Sequence, residues 1–163
     1  VRNHLDQLKG GRIARHIHSE LAANIGAVEL FPGIAHTIET LSDHGVRLAI
    51  VSSNTEANVR GILGPDLVER FECFECGASL FGKARRYRAV RKGAGLKKRD
   101  VLAIGDETRD IIAAHKEDIA CAGVLWGSAS RTALENVAPD VLFETPEAVV
   151  ATVLGRNAVR PAG

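Results

Sequence analysis

Val101-Leu-Ala-Ile-Gly-Asp-Glu-Thr-Arg-Asp110 is the stretch on which the reading of this chain turns. An apolar run of strand length, Val101 to Ile104, empties into Gly105 and then into two carboxylates four residues apart, Asp106 and Asp110. Apolar residues recur at helical spacing from Ile111 onward. The pattern predicts a buried strand, a sharp turn and a helix, with both acids where the strand ends. In open α/β sheets, ligands bind in the crevice beyond the strand carboxyl ends. Two hard oxygen donors there suit Mg²⁺, which takes one or two carboxylates, water and substrate phosphate. The alternative is a solvated helix start whose acids complement the helix dipole.

Outward from this stretch, strands and helices alternate. Ile34 to Leu41 reads as a helix stopped by Asp43-His44-Gly45, and Val46 to Val51 as a strand buried on both faces. Ser52-Ser53-Asn54 follows, three small polar residues able to cap a helix that runs to about Leu63 and is closed by Gly64-Pro65. Phe71 to Cys76 is a strand and Ala84 to Lys92 a helix ended by Gly93 and Gly95. Asp100 to Ile104 is a strand, Thr108 to Lys116 a helix, and Ile119 to Trp126 an apolar strand ended by Gly127. A helix near Ser130 to Val137, a short strand Asp140 to Phe143 and a helix from Pro146 to Leu154 complete the series. Alternation at this spacing predicts a Rossmann-like, three-layer α/β/α fold with a parallel sheet, spanning residues 29–155. Residues 1–28 read as helical, with Ile13, Ile17 and Leu21 one turn apart and Gly10-Gly11 breaking the run; residues 156–163 read as a flexible tail.

Composition narrows the class. A chain of 163 residues with 45% hydrophobic and 25% charged content matches an ordinary globular domain. It holds no apolar run of membrane-spanning length and no charged-then-apolar leader, so the expected location is cytoplasmic and away from membranes. Three cysteines make no disulfide framework, and Cys73-x-x-Cys76 finds no second pair or His cluster to complete a zinc site. His16 and His18 are not neighbours on a helix face and read as surface residues. Nine of the 21 basic residues fall between Lys83 and Arg99, a run without an acid, leaving 12 basic residues against all 20 acids elsewhere. Such a run reads as a solvated helix face or an attractor of phosphorylated substrates. With one aromatic, Tyr87, and no nucleic-acid motif, it supports a nucleic-acid partner less.

Three successive strand ends carry chemistry of one kind. Ser52-Ser53-Asn54 offers hydroxyls and helix-start amides for phosphate oxygens, Lys83 a point positive charge, and Asp106 with Asp110 a metal site. Singly, each is ordinary capping or surface charge. Together they are the components of phosphoryl transfer by positioning and charge neutralisation.

Leu48-Ala-Ile-Val-Ser-Ser-Asn54, Leu80-Phe-Gly-Lys83 and Ile104-Gly-Asp-Glu-Thr-Arg-Asp110 resemble motifs II, III and IV of the haloacid dehalogenase-like hydrolases, nearest to the phosphoglycolate-phosphatase-like branch. Glu29-Leu-Phe-Pro-Gly-Ile34 resembles the turn from that branch's helical cap into its core, which would make residues 1–28 the remnant of a cap. The resemblance implies a Mg²⁺-dependent phosphatase acting on a small phosphorylated metabolite. It implies that Ser52 binds the transferring phosphoryl group, with Ser53 and Asn54 contributing, and that Lys83 neutralises its charge. Asp106 would ligate Mg²⁺, with Asp110 acting directly or through water. Motif I, the D-x-D that supplies the family's nucleophile and general acid, has no counterpart among Asp6, Glu20, Glu29, Glu39 or Asp43. In the family, the strand bearing it lies between those that hold Ser52 and Asp106. The chain opens on Val1 and contains no methionine, so the expectation is that residues preceding it supply motif I, and that this chain alone has no turnover. A non-catalytic phosphate-binding or interaction module of the same fold, and a nucleic-acid-associated protein using the basic run, are the alternatives.

Overall fold

A computed structural model describes residues 29–77 and 82–158. Residues 1–28, read from the sequence as a cap remnant and holding His16 and His18, and the last five residues lie outside the described part, as do Ala78 to Phe81 before Lys83. The elements are α1 (Ile34–Asp43), β1 (Leu48–Val51), α2 (Glu56–Val68), β2 (Phe71–Glu75), α3 (Gly82–Gly93), a 3₁₀ turn (Lys98–Asp100), β3 (Leu102–Gly105), α4 (Thr108–Glu117), β4 (Ala120–Val124), α5 (Arg131–Glu135), β5 (Val141–Phe143) and α6 (Pro146–Ala158). Every strand pairing among the described residues is parallel, as βα alternation requires.

The strands form two pieces. β1 pairs with β2, while β3, β4 and β5 form a second sheet in that order. No hydrogen-bonded ladder joins β1 to β3. This corrects the expectation that β1 is buried on both faces and that β3 is a buried strand. Ala49 in β1 is exposed, and Ile104 in β3 is 40% exposed. Their composition is that of interior strands, but each has an edge without a neighbour among the described residues. β4, paired on both sides, is the contrast: Cys121, Ala122, Gly123 and Val124 are all buried.

Alternation along β4 divides the core between the two faces. Cys121 joins Ala103, Ile111, Ala114, Ile119 and Leu134 on the face covered by α4 and α5. Ala122 and Val124 join Leu41, Phe143 and Val149 on the face covered by α1 and α6. Ile111, Leu134 and Phe143 are almost completely withdrawn from water. Each such side chain contributes about 1.5–3 kcal/mol. Helices also tie the two pieces together: α3 packs on β1 and β2 and against α4, and α1 packs on α6 and α2.

Several ends differ from the sequence expectation. Thr55, not Ser52 to Asn54, caps α2, its hydroxyl accepting from the Asn58 amide. Gly64 does interrupt that helix (φ 73°, ψ 167°), but Pro65, suited to a first helical turn, restarts it as far as Val68. α6 continues through Gly155 to Ala158, past the point where the sequence places a tail. Ser130 caps α5, which ends at Glu135 and is shorter than expected.

Candidate active site

The apolar strand β3 delivers Gly105 and Asp106 to its carboxyl end, and the first turn of α4 brings Asp110 back over it. Asp110 is 4% exposed. Its Oδ1 accepts from the Lys83 ammonium, itself mostly buried in the first turn of α3. The sequence predicted these two groups at neighbouring strand ends; the structure puts them in direct contact. A Cβ on Gly105 would lie 2.4 Å from both Cβ and Oδ2 of Asp110, so only glycine lets the carboxylate fold back there.

Asp106 is fixed from the other side. Its Oδ2 accepts the Ser128 amide at 3.0 Å, and its carbonyl accepts the Ala129 amide at 3.1 Å. Gly127 passes so close that a Cβ there would sit 2.1 Å from the Asp106 Cβ. Glu107, Thr108, Arg109, Ser128 and Ala129 line an open depression beside it, in which Arg109 and Glu107 form an ion pair.

Ser52 follows β1. Its amide donates to the Glu75 carbonyl at 3.0 Å, and its hydroxyl accepts the Asn54 amide at 3.1 Å. Within this turn the amides of Ser52, Asn54 and Thr55 are taken up by the Glu75 carbonyl, the Ser52 hydroxyl and the Asn54 side chain. Ser53 and Asn54 are half-buried beside it. The Asn54 Oδ1 is engaged with the Thr55 amide and Asn58 Nδ2, serving the start of α2.

Two contributors were absent from the sequence reading. Arg86 donates to the carbonyls of Ser52 at 2.6 Å and Glu75 at 3.3 Å, and to that of Gly77. Its legible signal was its position three residues after Lys83, on the same face of a helix. The Gly127-Ser128 turn was legible only as a strand end, because its role comes from a backbone amide. The basic run is largely engaged within the molecule: beyond Lys83 and Arg86, Arg88 pairs with the buried Glu117, Arg91 donates to the Leu96 carbonyl and Lys98 pairs with Asp118.

Among the described residues, no three His, Cys, Asp or Glu side chains converge on one point. The two carboxylates fit Mg²⁺, which needs one or two and otherwise takes water and phosphate. Asp106 has its Oδ1 free of the Ser128 contact, and Asp110 stands behind, shared with Lys83. The cysteines show no sign of activation: burial raises the thiol pKa of Cys73, Cys76 and Cys121.

This α/β/α domain carries a hydroxyl, an ammonium and two carboxylates at successive strand ends. The sequence profile of the haloacid dehalogenase-like hydrolases matches residues 3–124, and the chain belongs to that family. It is 30% identical over 143 residues to the phosphoglycolate phosphatase of Synechococcus elongatus, covering 87% of this chain and 68% of that protein. It is 25% identical over 120 residues to phosphoglycolate phosphatase 1 of Pseudomonas aeruginosa, covering 71% and 44%. Among solved structures, a haloacid dehalogenase-like hydrolase from Streptococcus pneumoniae superposes with a TM-score of 0.73 at 22% identity, covering 81% of this chain and 63% of that one. A predicted phosphoglycolate phosphatase from Haemophilus somnus gives 0.69 at 25%, covering 76% and 57%. The chain thus spans little more than half to two thirds of most of these proteins.

Proposed function

We propose that this chain is the core of a Mg²⁺-dependent phosphomonoesterase of the phosphoglycolate-phosphatase kind, acting on a small phosphorylated metabolite through an aspartyl-phosphate. The observation that carries this reading is the Lys83–Asp110 contact at the end of β3, one helical turn from Asp106. An ammonium held by a buried carboxylate at a strand end is fixed in place without being surrendered to solvent. Lys83 then neutralises charge on the phosphoryl oxygens, while Ser52 donates a hydrogen bond to the same group. Ser53 contributes its amide, and Asn54 shapes the turn. Asp106 would ligate Mg²⁺, and Asp110, which also holds Lys83, would do so directly or through water. The metal would polarise the phosphoryl group as a Lewis acid. The nucleophilic Asp would come from outside this sequence, on the strand that in the family lies between those holding Ser52 and Asp106. The phosphoglycolate phosphatases among the relatives support the substrate class.

Calorimetric titration tests the site. The chain should bind inorganic phosphate only in the presence of Mg²⁺. Asp106→Asn should abolish Mg²⁺ binding, and Lys83→Met should weaken phosphate binding while leaving the Mg²⁺ site occupied. Failure of the wild-type chain to bind phosphate under these conditions overturns the reading. Mg²⁺-dependent hydrolysis of p-nitrophenyl phosphate by this chain alone, lost in Asp106→Asn, would instead refute the external nucleophile. A non-catalytic phosphate-binding module is the second reading, favoured by the absence of a D-x-D from the given sequence ahead of Ser52.

A further inference from the structure

Arg86 holds a position that the roles above leave unused. It lies on α3 three residues beyond Lys83, so the two side chains leave the same face of the helix. Lys83 reaches the carboxylate over β3, while Arg86 reaches back to the ends of β1 and β2. Its NH1 donates to the carbonyls of Ser52 and Glu75, and its NH2 to that of Gly77. The Glu75 carbonyl also receives the Ser52 amide, and the Gly77 amide donates to the Asn54 carbonyl at 2.6 Å. One guanidinium therefore joins the turn that carries Ser52 to the loop after β2. β1 and β3 share no hydrogen-bonded ladder, and of the helices that tie the two sheets together α3 is the one that carries both Lys83 and Arg86.

We infer that Arg86 is a positioning residue: through its three carbonyl contacts it sets the Ser52 turn relative to the Lys83–Asp110 pair, and its charge biases that end of the sheet towards an anion. This inference rests on the phosphatase reading for its purpose, though not for its geometry. A planar fork with five donors can serve several carbonyls at once; a lysine ammonium cannot reproduce that arrangement. Among the described residues no carboxylate forms an ion pair with Arg86, so its charge is not cancelled locally. Arg88, two residues on, differs in being paired with Glu117.

The test uses Arg86→Lys and Arg86→Met, with Arg88→Lys as a control outside the site. Amide hydrogen exchange reports the clamp directly. In both Arg86 variants the Ser52 and Gly77 amides should exchange about tenfold faster, on the scale of one lost charge-assisted hydrogen bond. The Cys121 amide, held by the Asp140 carboxylate at 2.8 Å, should be unaffected. Phosphate affinity should fall about fivefold in Arg86→Lys and further in Arg86→Met, with Mg²⁺ affinity within about twofold of wild type. Unchanged exchange at Ser52 and Gly77 in both variants overturns the proposal. Equal acceleration at Cys121 also overturns it, because it reduces Arg86 to general stabilisation. So does faster exchange without any change in phosphate affinity. If the wild-type chain binds no phosphate, the phosphatase reading fails, while the exchange data still judge the clamp.

Discussion

Gly105 and Gly127 show how closely backbone and carboxylate meet at this site. Alanine at 105 would put a Cβ 2.4 Å from Asp110, and alanine at 127 would put one 2.1 Å from Asp106. Neither obstacle is the far end of a flexible side chain, so the acids or the strand end must move. Gly105→Ala and Gly127→Ala should each cost about 1–3 kcal/mol, the usual range for overpacking. They should also weaken Mg²⁺ binding; thermal melts and metal titration measure the two effects separately. Tyr87 provides a second residue-scale prediction, as the only tyrosine in the chain. Burial first, and then the negative charge of Asp110, push its phenol pKa well above the ordinary value. The folded protein should therefore show little phenolate absorbance at about pH 10.5, where an ordinary tyrosine is mostly ionised. A raised folded-state pKa means the native state holds its proton longer. The associated stability is complete below the unfolded pKa and is lost as pH rises towards the folded one. Melting temperature should thus decline above about pH 10, and Tyr87→Phe should reduce that decline. At this scale the sequence showed which residue types end the strands. It could not show that Asp110 faces Lys83, or that an amide from Ser128 holds Asp106, because those contacts come from distant chain segments.

At the scale of elements, periodicity and turn chemistry were legible, and burial was not. The apolar runs ending at Val51 and Ile104 are strands, as alternation with helices predicts. Their exposure depends on what lies beside them, which no local pattern encodes. The basic run likewise reads locally as a solvated face. In the structure, α3 is a strut: Lys83 and Arg88 pair with Asp110 and Glu117 on α4, and Arg86 reaches the other sheet. The kink in α2 was legible from Gly64-Pro65, but not the resumption of the helix beyond it. Gly64 adopts φ 73° and ψ 167°, a conformation that is essentially glycine-only, yet no atom lies within 4 Å of a Cβ built there. Gly64→Ala should therefore cost about 1–3 kcal/mol through backbone strain alone. A fall in the urea midpoint with an unchanged slope would report that loss; an unaltered midpoint would show that the kink relaxes freely.

For the whole molecule, the division of the sheet governs both stability and chemistry. β4 is paired on both sides and buried on both faces, whereas β1 and β3 each end a ladder. Hydrogen exchange should follow that order, slowest in β4 and faster in β1 and β3, since opening a strand with one neighbour disrupts fewer contacts. Exposed Ile104 and Ala49 stand on two strands that are each paired on one side only among the described residues, so an added strand would gain both backbone hydrogen bonds and apolar cover. The alternating fold could be read from the sequence because every βα unit carries its own signals. The interruption has no local signal, since it is a relation between strands far apart in the chain; only the family resemblance implied it, through the missing strand between those that hold Ser52 and Asp106. Its chemical consequence is open to a direct test. A parallel strand laid between β1 and β3 would bring its carboxyl end beside Ser52, Asp106 and the Lys83–Asp110 pair. A peptide with an apolar strand ending in D-x-D, added to the chain or joined ahead of it, should therefore produce Mg²⁺-dependent hydrolysis of phosphoglycolate. Replacing the first Asp of that peptide by Asn, or Asp106 by Asn in the chain, should remove the activity. The peptide should also slow amide exchange in β1 and β3 while leaving β4 unchanged. Protection without hydrolysis would mean that the sheet accepts the strand and that the strand ends do not assemble a phosphatase.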